Sequence, residues 1–333
     1  MVSESLFVLA GIPEGVRKIF GEDQLRRLAS AHARAEVVVA DDPDRFTALL
    51  PRADAVLIWP SMAQLLMPAL YPGSRLRWIH SLPAGVDGLL TPELIAANHV
   101  RLTSSKGPMG PMMAEHALML MLALARDLPG FLRDQAEQRW RFLADERPMV
   151  DMFGKTVLIM GVGAVGGHLA RMCKAGFLMH VLGTARTRRD HPHVDRYIGP
   201  SELHAALGEA DFVALCLAHT PETDRIIDAA ALAAMKPTAY LVNVVRGRLV
   251  DEEALVAALG EGRIAGAGLD ATAVEPLPAE SPLWGMPNVI ITPHVSPGRD
   301  HMVGALVGFW CENIRRFAEG EPLRGVVDRD ACY

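Results

Sequence analysis

The sequence is poor in aromatics, at 6%, and holds only four cysteines in 333 residues. Cys173, Cys216, Cys311 and Cys332 form no C-x-x-C pair and no short spacing, which excludes a disulfide framework and a cysteine-based metal knuckle. No metal is expected, and such cysteine usage suits a reducing, cytoplasmic setting. An excess of positive charge is also missing: 33 Lys and Arg stand against 39 Asp and Glu, for a net charge of −6, and the basic residues are dispersed. Nucleic acid, which needs a basic face, is therefore not an expected partner. No apolar run reaches the roughly 20 residues of a membrane span. The longest, Met112 to Ala125, is interrupted by Glu115 and His116 and predicts a buried helix, in a subunit interface or a domain core. The opening MVSESLFVLAG lacks both the length and the positive front of a secretory signal. No repeat of roughly 20–50 residues and no low-complexity tract is present.

What is present is a chain of 50% hydrophobic and 22% charged residues, the balance of a folded globular protein, with length for two domains. Between residue 5 and about 103, the β-like runs LFVLAG, AEVVVA, ADAVLIW and LRWIHS alternate with helical stretches over 14–30, near 44–50 and near 62–70. After the long helix a second set follows: KTVLIMG, a helix from 164 to about 174, LMHVLG, ADFVALCL, AYLVNV, IAGAGLD and NVIITP. This βαβ rhythm predicts an α/β fold with two doubly wound parallel-sheet domains. A last helix over 301–318 leads into the tail EGEPLRGVVD, expected to fold back on the first unit. Residues 1–104 and 297–333 would then form one discontinuous domain and 105–296 the other. Breaker-rich KGPMGP and VSPGR mark the hinges, and closure between hinged domains would exclude water from the chemistry.

The segment GVGAVGG (161–167) sits between an apolar β run and an amphipathic helix. Gly161, Gly163 and Gly166 then allow a tight turn that brings a pyrophosphate against the helix N-terminus, near Ala164 and Val165. After the next strand an NAD-selective site carries an acid for the ribose hydroxyls, whereas here Thr184, Ala185, Arg186, Thr187, Arg188 and Arg189 follow one another. A hydroxyl and a guanidinium fork suit a 2′-phosphate, so NADP(H) is preferred, with NAD(H) possible; a solvated basic turn is the alternative. Downstream, NVVRGRLVD (243–251), LDATAVEP (269–276) and ITPHVS (291–296) deliver Arg246, Glu275 and His294. An arginine can hold a carboxylate, a histidine can exchange a proton near neutrality, and a glutamate can orient that histidine. Each residue alone could be an ordinary loop contact. Together, and beside a hydride carrier, they are the parts for interconverting a 2-keto and a 2-hydroxy acid.

From GVGAVGG through NVVRGRLVD, LDATAVEPLP, NVIITPHVS and GEPLRGVVD, the chain resembles the D-isomer-specific 2-hydroxyacid dehydrogenases, and TARTRR likens it within them to the NADPH-linked glyoxylate and hydroxypyruvate reductases. The resemblance implies a Rossmann-type nucleotide domain and a flavodoxin-like discontinuous substrate domain. It implies that Arg246 binds the substrate carboxylate, that His294 donates the proton and that Glu275 partners it. It places further dinucleotide contacts at Leu217, Ala218, His219, Thr223, Val244, Arg246, Asp270 and His294, with Asp270 accepting from the nicotinamide carboxamide. The turn at Ala84 and Gly85 would contact the carboxylate, although Pro83 beside it offers no N–H. Trp140 resembles an aromatic contributed across a dimer interface, with a core tryptophan at a helix end as the alternative; the resemblance, together with the apolar helix at 112–125, implies a homodimer. A small 2-keto or 2-hydroxy acid is the implied substrate. Larger keto acids, other oxyanions, and a dinucleotide-sensing binding protein with vestigial activity stay open.

Overall fold

The computed structural model describes residues 5–86, 88–140, 149–187, 190–331 and 333. The chain divides into two compact units, the first running to Met109 and resuming at Arg299–Tyr333, the second spanning Gly110–Gly298. These divisions fall at 109/110 and 298/299, against 104/105 and 296/297 from the sequence; the first coincides with the start of the Gly110–Ala125 helix.

In the first unit, strands β1 (Leu6–Gly11), β2 (Ala35–Ala40), β3 (Ala55–Ile58), β4 (Trp78–Ser81) and β5 (Arg101–Ser104) form a parallel sheet in the order β2-β1-β3-β4-β5. That is the flavodoxin-like order. Every residue of β1 and β3 is buried, which is why both read as unbroken apolar runs. Two helical expectations are corrected. The stretch over 14–30 breaks into Glu14–Arg17 and Glu22–Ala29, with Gly21, a weak helix former, capping the second. The stretch near 62–70 is a 3₁₀ helix, Pro60–Ala69, containing Pro68, whose ring and missing N–H oppose an α-helix. The short β5, RLTS, gives little apolar signal and is not legible in the sequence. Its outer edge is covered by the tail, where Val327 N donates to Leu102 O at 3.0 Å and Ser104 N to Gly325 O at 2.8 Å.

A polar chain runs through this unit's core. Trp78 Nε1 donates to Thr103 Oγ1 (2.8 Å), which meets His80 Nδ1 at 2.6 Å; His80 Nε2 meets Ser105 Oγ at 3.1 Å, and Trp310 Nε1 also donates to Ser105 Oγ (2.8 Å). The fully buried imidazole is satisfied while neutral, and burial pushes its pKa down from 6.5 to about 3. The folded state therefore resists a proton that the unfolded chain accepts. Stability attributable to His80 is complete above pH ~6.5 and declines as pH falls toward ~3, by roughly 4–5 kcal/mol at about 1.4 kcal/mol per pKa unit. The thermal midpoint of the wild type should fall more steeply over that range than that of H80Q; parallel acid limbs would refute the assignment.

In the second unit, β6 (Thr156–Met160), β7 (His180–Thr184), β8 (Arg196–Tyr197), β9 (Phe212–Leu215), β10 (Tyr240–Asn243), β11 (Gly266–Leu269) and β12 (Val289–Ile291) form a parallel sheet in the order β12-β11-β10-β9-β6-β7-β8. Strand order reverses where β6 pairs with both β7 and β9, and a crevice at the carboxyl ends of strands belongs at such a switch point. β7 extends through Thr184, one residue beyond the sequence expectation, and two-residue β8 has no sequence signal. Half of the Gly110–Ala125 helix is buried, and Leu120 Cβ lies 3.0 Å from where a Cβ on Gly268 would sit. The apolar helix thus belongs to this domain's core. Among the described residues no helix is long and apolar enough to cross a membrane, and no cluster of His, Cys, Asp or Glu is arranged to hold a metal ion. Burial pushes the Cys173 and Cys216 thiols up to about 12, which makes both poor nucleophiles; Cys332 lies outside the described residues.

Candidate active site

The three loop glycines do different physical work. Gly161 turns with φ +97°, and a Cβ there would meet Leu217 N at 2.6 Å. At Gly166 a Cβ would meet Gly161 O at 2.2 Å, so only glycine lets the Ala164–Phe177 helix sit this close to its strand. Gly163, the helix N-cap, has nothing within 4 Å of its missing Cβ. That leaves an open approach to the first-turn amides of Ala164, Val165 and Gly166, which helix geometry leaves without intrahelical partners. A tight turn, an open flank and a close-packed third glycine fit a dinucleotide pyrophosphate.

Thr184 closes this turn from below: its Oγ1 accepts from Gly161 N at 3.0 Å, and its carbonyl accepts from Val162 N at 2.8 Å. Arg186 and Thr187 are exposed just beyond it, while Arg188 and Arg189 lie outside the described residues. On the other side of the switch point, Leu217, Ala218 and His219 follow β9. Thr223 braces that loop, donating to Ala218 O (2.9 Å) and accepting from Thr220 N (2.7 Å). His219 Nε2 lies 2.7 Å from Asp224, and this contact is the main reason the Asp224 carboxyl is held below its ordinary range.

Arg246, Glu275 and His294 come from the loops after β10, β11 and β12, three adjacent strands. Gly247 makes the first two loops touch, since a Cβ there would fall 1.9 Å from Thr272 C. Arg246 is half-buried; Nη1 donates to Val245 O (2.7 Å), and its own carbonyl accepts from Asn243 Nδ2 (2.8 Å). Asn243, fully buried at the end of β10, also accepts from Val245 N at 3.1 Å. Glu275, which precedes a cis bond to Pro276, accepts Thr272 N on Oε1 (3.2 Å) and faces His294 Nδ1 with Oε2 (2.8 Å). A carboxylate opposite Nδ1 fixes that nitrogen as the donor. Nε2 is left to exchange a proton with a ligand.

His294 has φ +55°, a left-handed conformation unusual outside glycine and one that persists only when its surroundings impose it. Its N–H donates to Asp270 O at 2.9 Å. The buried Asp270 carboxylate receives Thr292 Oγ1 (2.6 Å), Val295 N (2.9 Å) and Ser296 N (2.9 Å), all from the histidine's loop. His116, on the Gly110–Ala125 helix, adds Nε2 at 2.9 Å from Thr292 Oγ1. Asn243, Thr292 and His116 are absent from the sequence-derived site. Asn243 opens NVVRGRLVD and Thr292 lies in ITPHVS, both beside the residues those segments were read for, and the signal at His116 is a histidine interrupting an apolar helix.

The remaining expected residues are placed separately. Val244 is buried directly after β10, and its carbonyl lies 3.5 Å from Ser296 Oγ. Ala84 and Gly85 belong to the first unit, in the turn after β4, where Ser81 Oγ donates to Gly85 O at 3.1 Å. Trp140 is 86% exposed, which overturns the core-tryptophan alternative.

With this geometry in hand, residues 118–296 match the family described as "D-isomer specific 2-hydroxyacid dehydrogenase, NAD binding domain". A glyoxylate/hydroxypyruvate reductase A from Escherichia fergusonii is 34% identical over 84% of this chain and 88% of its own length. A D-3-phosphoglycerate dehydrogenase from Synechocystis is 33% identical over 92% of the chain, which spans 54% of that longer protein. Among solved structures, an NADPH-dependent glyoxylate/hydroxypyruvate reductase from Sinorhizobium meliloti, in complex with NADP and sulfate, superposes with a TM-score of 0.82 at 30% identity, covering 98% of this chain and all of the other.

Proposed function

The chain belongs to the D-isomer-specific 2-hydroxyacid dehydrogenase family, and from that premise we propose that it reduces a small 2-keto acid, glyoxylate or hydroxypyruvate in type, to the D-2-hydroxy acid with NADPH. The observation that carries the reading is His294 Nδ1 held on Glu275 at 2.8 Å, with the Arg246 loop packed against the loop that bears Glu275. When bound, the nicotinamide supplies a hydride to the carbonyl carbon. Arg246 holds the substrate carboxylate and polarises the carbonyl by its positive charge. His294 Nε2 delivers a proton to the oxygen as negative charge develops there, while Glu275, 2.8 Å from Nδ1, keeps the ring in place. The first-turn amides at 164–166 hold the pyrophosphate.

The preference for NADPH is supported by the missing acid after β7, by exposed Arg186 and Thr187, and by the NADP held in the Sinorhizobium meliloti reductase. A charge-assisted contact to a 2′-phosphate contributes roughly 1.5–3 kcal/mol, so kcat/KM should favour NADPH over NADH by at least about 10-fold, and R186A should erode that ratio. A preference for NADH would overturn the cofactor assignment and leave the catalytic trio untouched. A larger 2-keto acid is the second reading, favoured by the phosphoglycerate dehydrogenase relative; kcat/KM across keto acids of graded size separates the two.

The same reading includes a homodimer. Leu128, Phe131 and Leu132 are exposed at i, i+3 and i+4 on the Leu128–Ala136 helix, an apolar stripe that a second copy would cover. Sedimentation at the 36.1 kDa of one chain would refute it.

A further inference from the structure

We propose that His116, acting through Thr292 and Asp270, is a positioning residue that sets the loop carrying the proton donor. Proton counting along the contacts leads to this. Asp270 is a carboxylate and only accepts, so the single hydrogen of Thr292 Oγ1 is spent on Asp270 Oδ1 at 2.6 Å. Thr292 Oγ1 must then accept from His116 Nε2, 2.9 Å away, which requires an N–H on that nitrogen. The same nitrogen lies 3.5 Å from Asp270 Oδ1, where the positive end of its N–H dipole stabilises the carboxylate. With Thr292 satisfied from behind, Asp270 clamps Val295 N and Ser296 N while its carbonyl holds His294 N. The histidine is thus gripped on both sides, in a backbone conformation it would not otherwise keep.

The identity of the helix residue supports the role. His116 lies among alanines, methionines and leucines on a helix packed into the core, and its side chain is only 15% exposed. A polar ring is costly in such surroundings unless its hydrogen bond is made. An apolar residue would serve packing better, whereas a donor at the Nε2 position serves the loop.

The inference rests on His294 as proton donor, and the test keeps the two apart. Purified H116L, H116Q and H294N are compared with wild type by steady-state kinetics with glyoxylate and NADPH, by thermal midpoint, and by amide hydrogen exchange without cofactor. H116L should lower kcat by about 10- to 100-fold, because small misplacement of a reacting group is that costly, with KM for NADPH little changed. Exchange at Val295 and Ser296 should accelerate by about 10-fold as their acceptor loosens. H116Q, which offers an amide N–H near the Nε2 position, should restore both. Unchanged kcat and exchange in H116L would overturn the inference. So would equal impairment of H116L and H116Q, the signature of a packing role. Should H116L fail to fold, T292V cuts the same link from the other side and is held to the same outcomes. Full activity in H294N would instead overturn the proton-donor reading, and the exchange data would still decide whether His116 holds the loop.

Discussion

An H294N variant is expected to bind NADPH normally and to reduce glyoxylate with kcat lowered between about 100-fold and 10,000-fold, the range that a positioned general acid contributes. Asparagine retains a donor close to where Nδ1 meets Glu275, so the loop contact at 2.8 Å has a substitute. What it lacks is a second nitrogen able to carry a proton to the substrate. The effect should therefore fall on kcat, with NADPH affinity, measured by quenching of protein fluorescence, unchanged. A kcat within a few-fold of wild type would remove His294 from the chemistry; equal loss of turnover and cofactor binding would show that the residue supports the loop.

Arg246 should show a different pattern. R246Q is expected to lower kcat/KM for glyoxylate by about 100- to 10,000-fold, because a forked guanidinium makes two charge-assisted bonds to a carboxylate, each in the range of roughly 1.5–3 kcal/mol. Much of that loss should appear as a raised KM, whereas H294N should show little of it. Arg246 Nη1 is already held on Val245 O at 2.7 Å, so the side chain loses little rotamer freedom when it engages its ligand. R246K should recover only a small part, since an ammonium cannot reproduce the fork. A KM unaltered in both variants would place carboxylate recognition elsewhere.

The sequence made much of this legible for a physical reason. Parallel strands buried on both faces leave continuous apolar runs, as in LFVLAG and TVLIM, and the loops that follow β10, β11 and β12 are short enough for each working residue to sit in a recognisable local pattern. Helix breaks at Gly21 and Pro68 are local effects that amphipathic spacing overrides on paper but not in the chain. His116 was not legible, because its meaning depends on Thr292, 176 residues away, and on a carboxylate whose partners only the fold assembles. The edge strands escaped for different reasons, β5 for want of apolar residues in RLTS and β8 for want of length.

The placement of the trio on three adjacent strands has a mechanical consequence. Neighbouring strands lie about 4.8 Å apart because backbone hydrogen bonds have one length, so the spacing between the roots of these loops is metered by the peptide ladder. Laboratory evolution could exchange side chains at the loop tips to admit a bulkier acid while the ladder preserved the pitch. Lengthening any one loop would leave its root in place and carry its tip out of step with the other two.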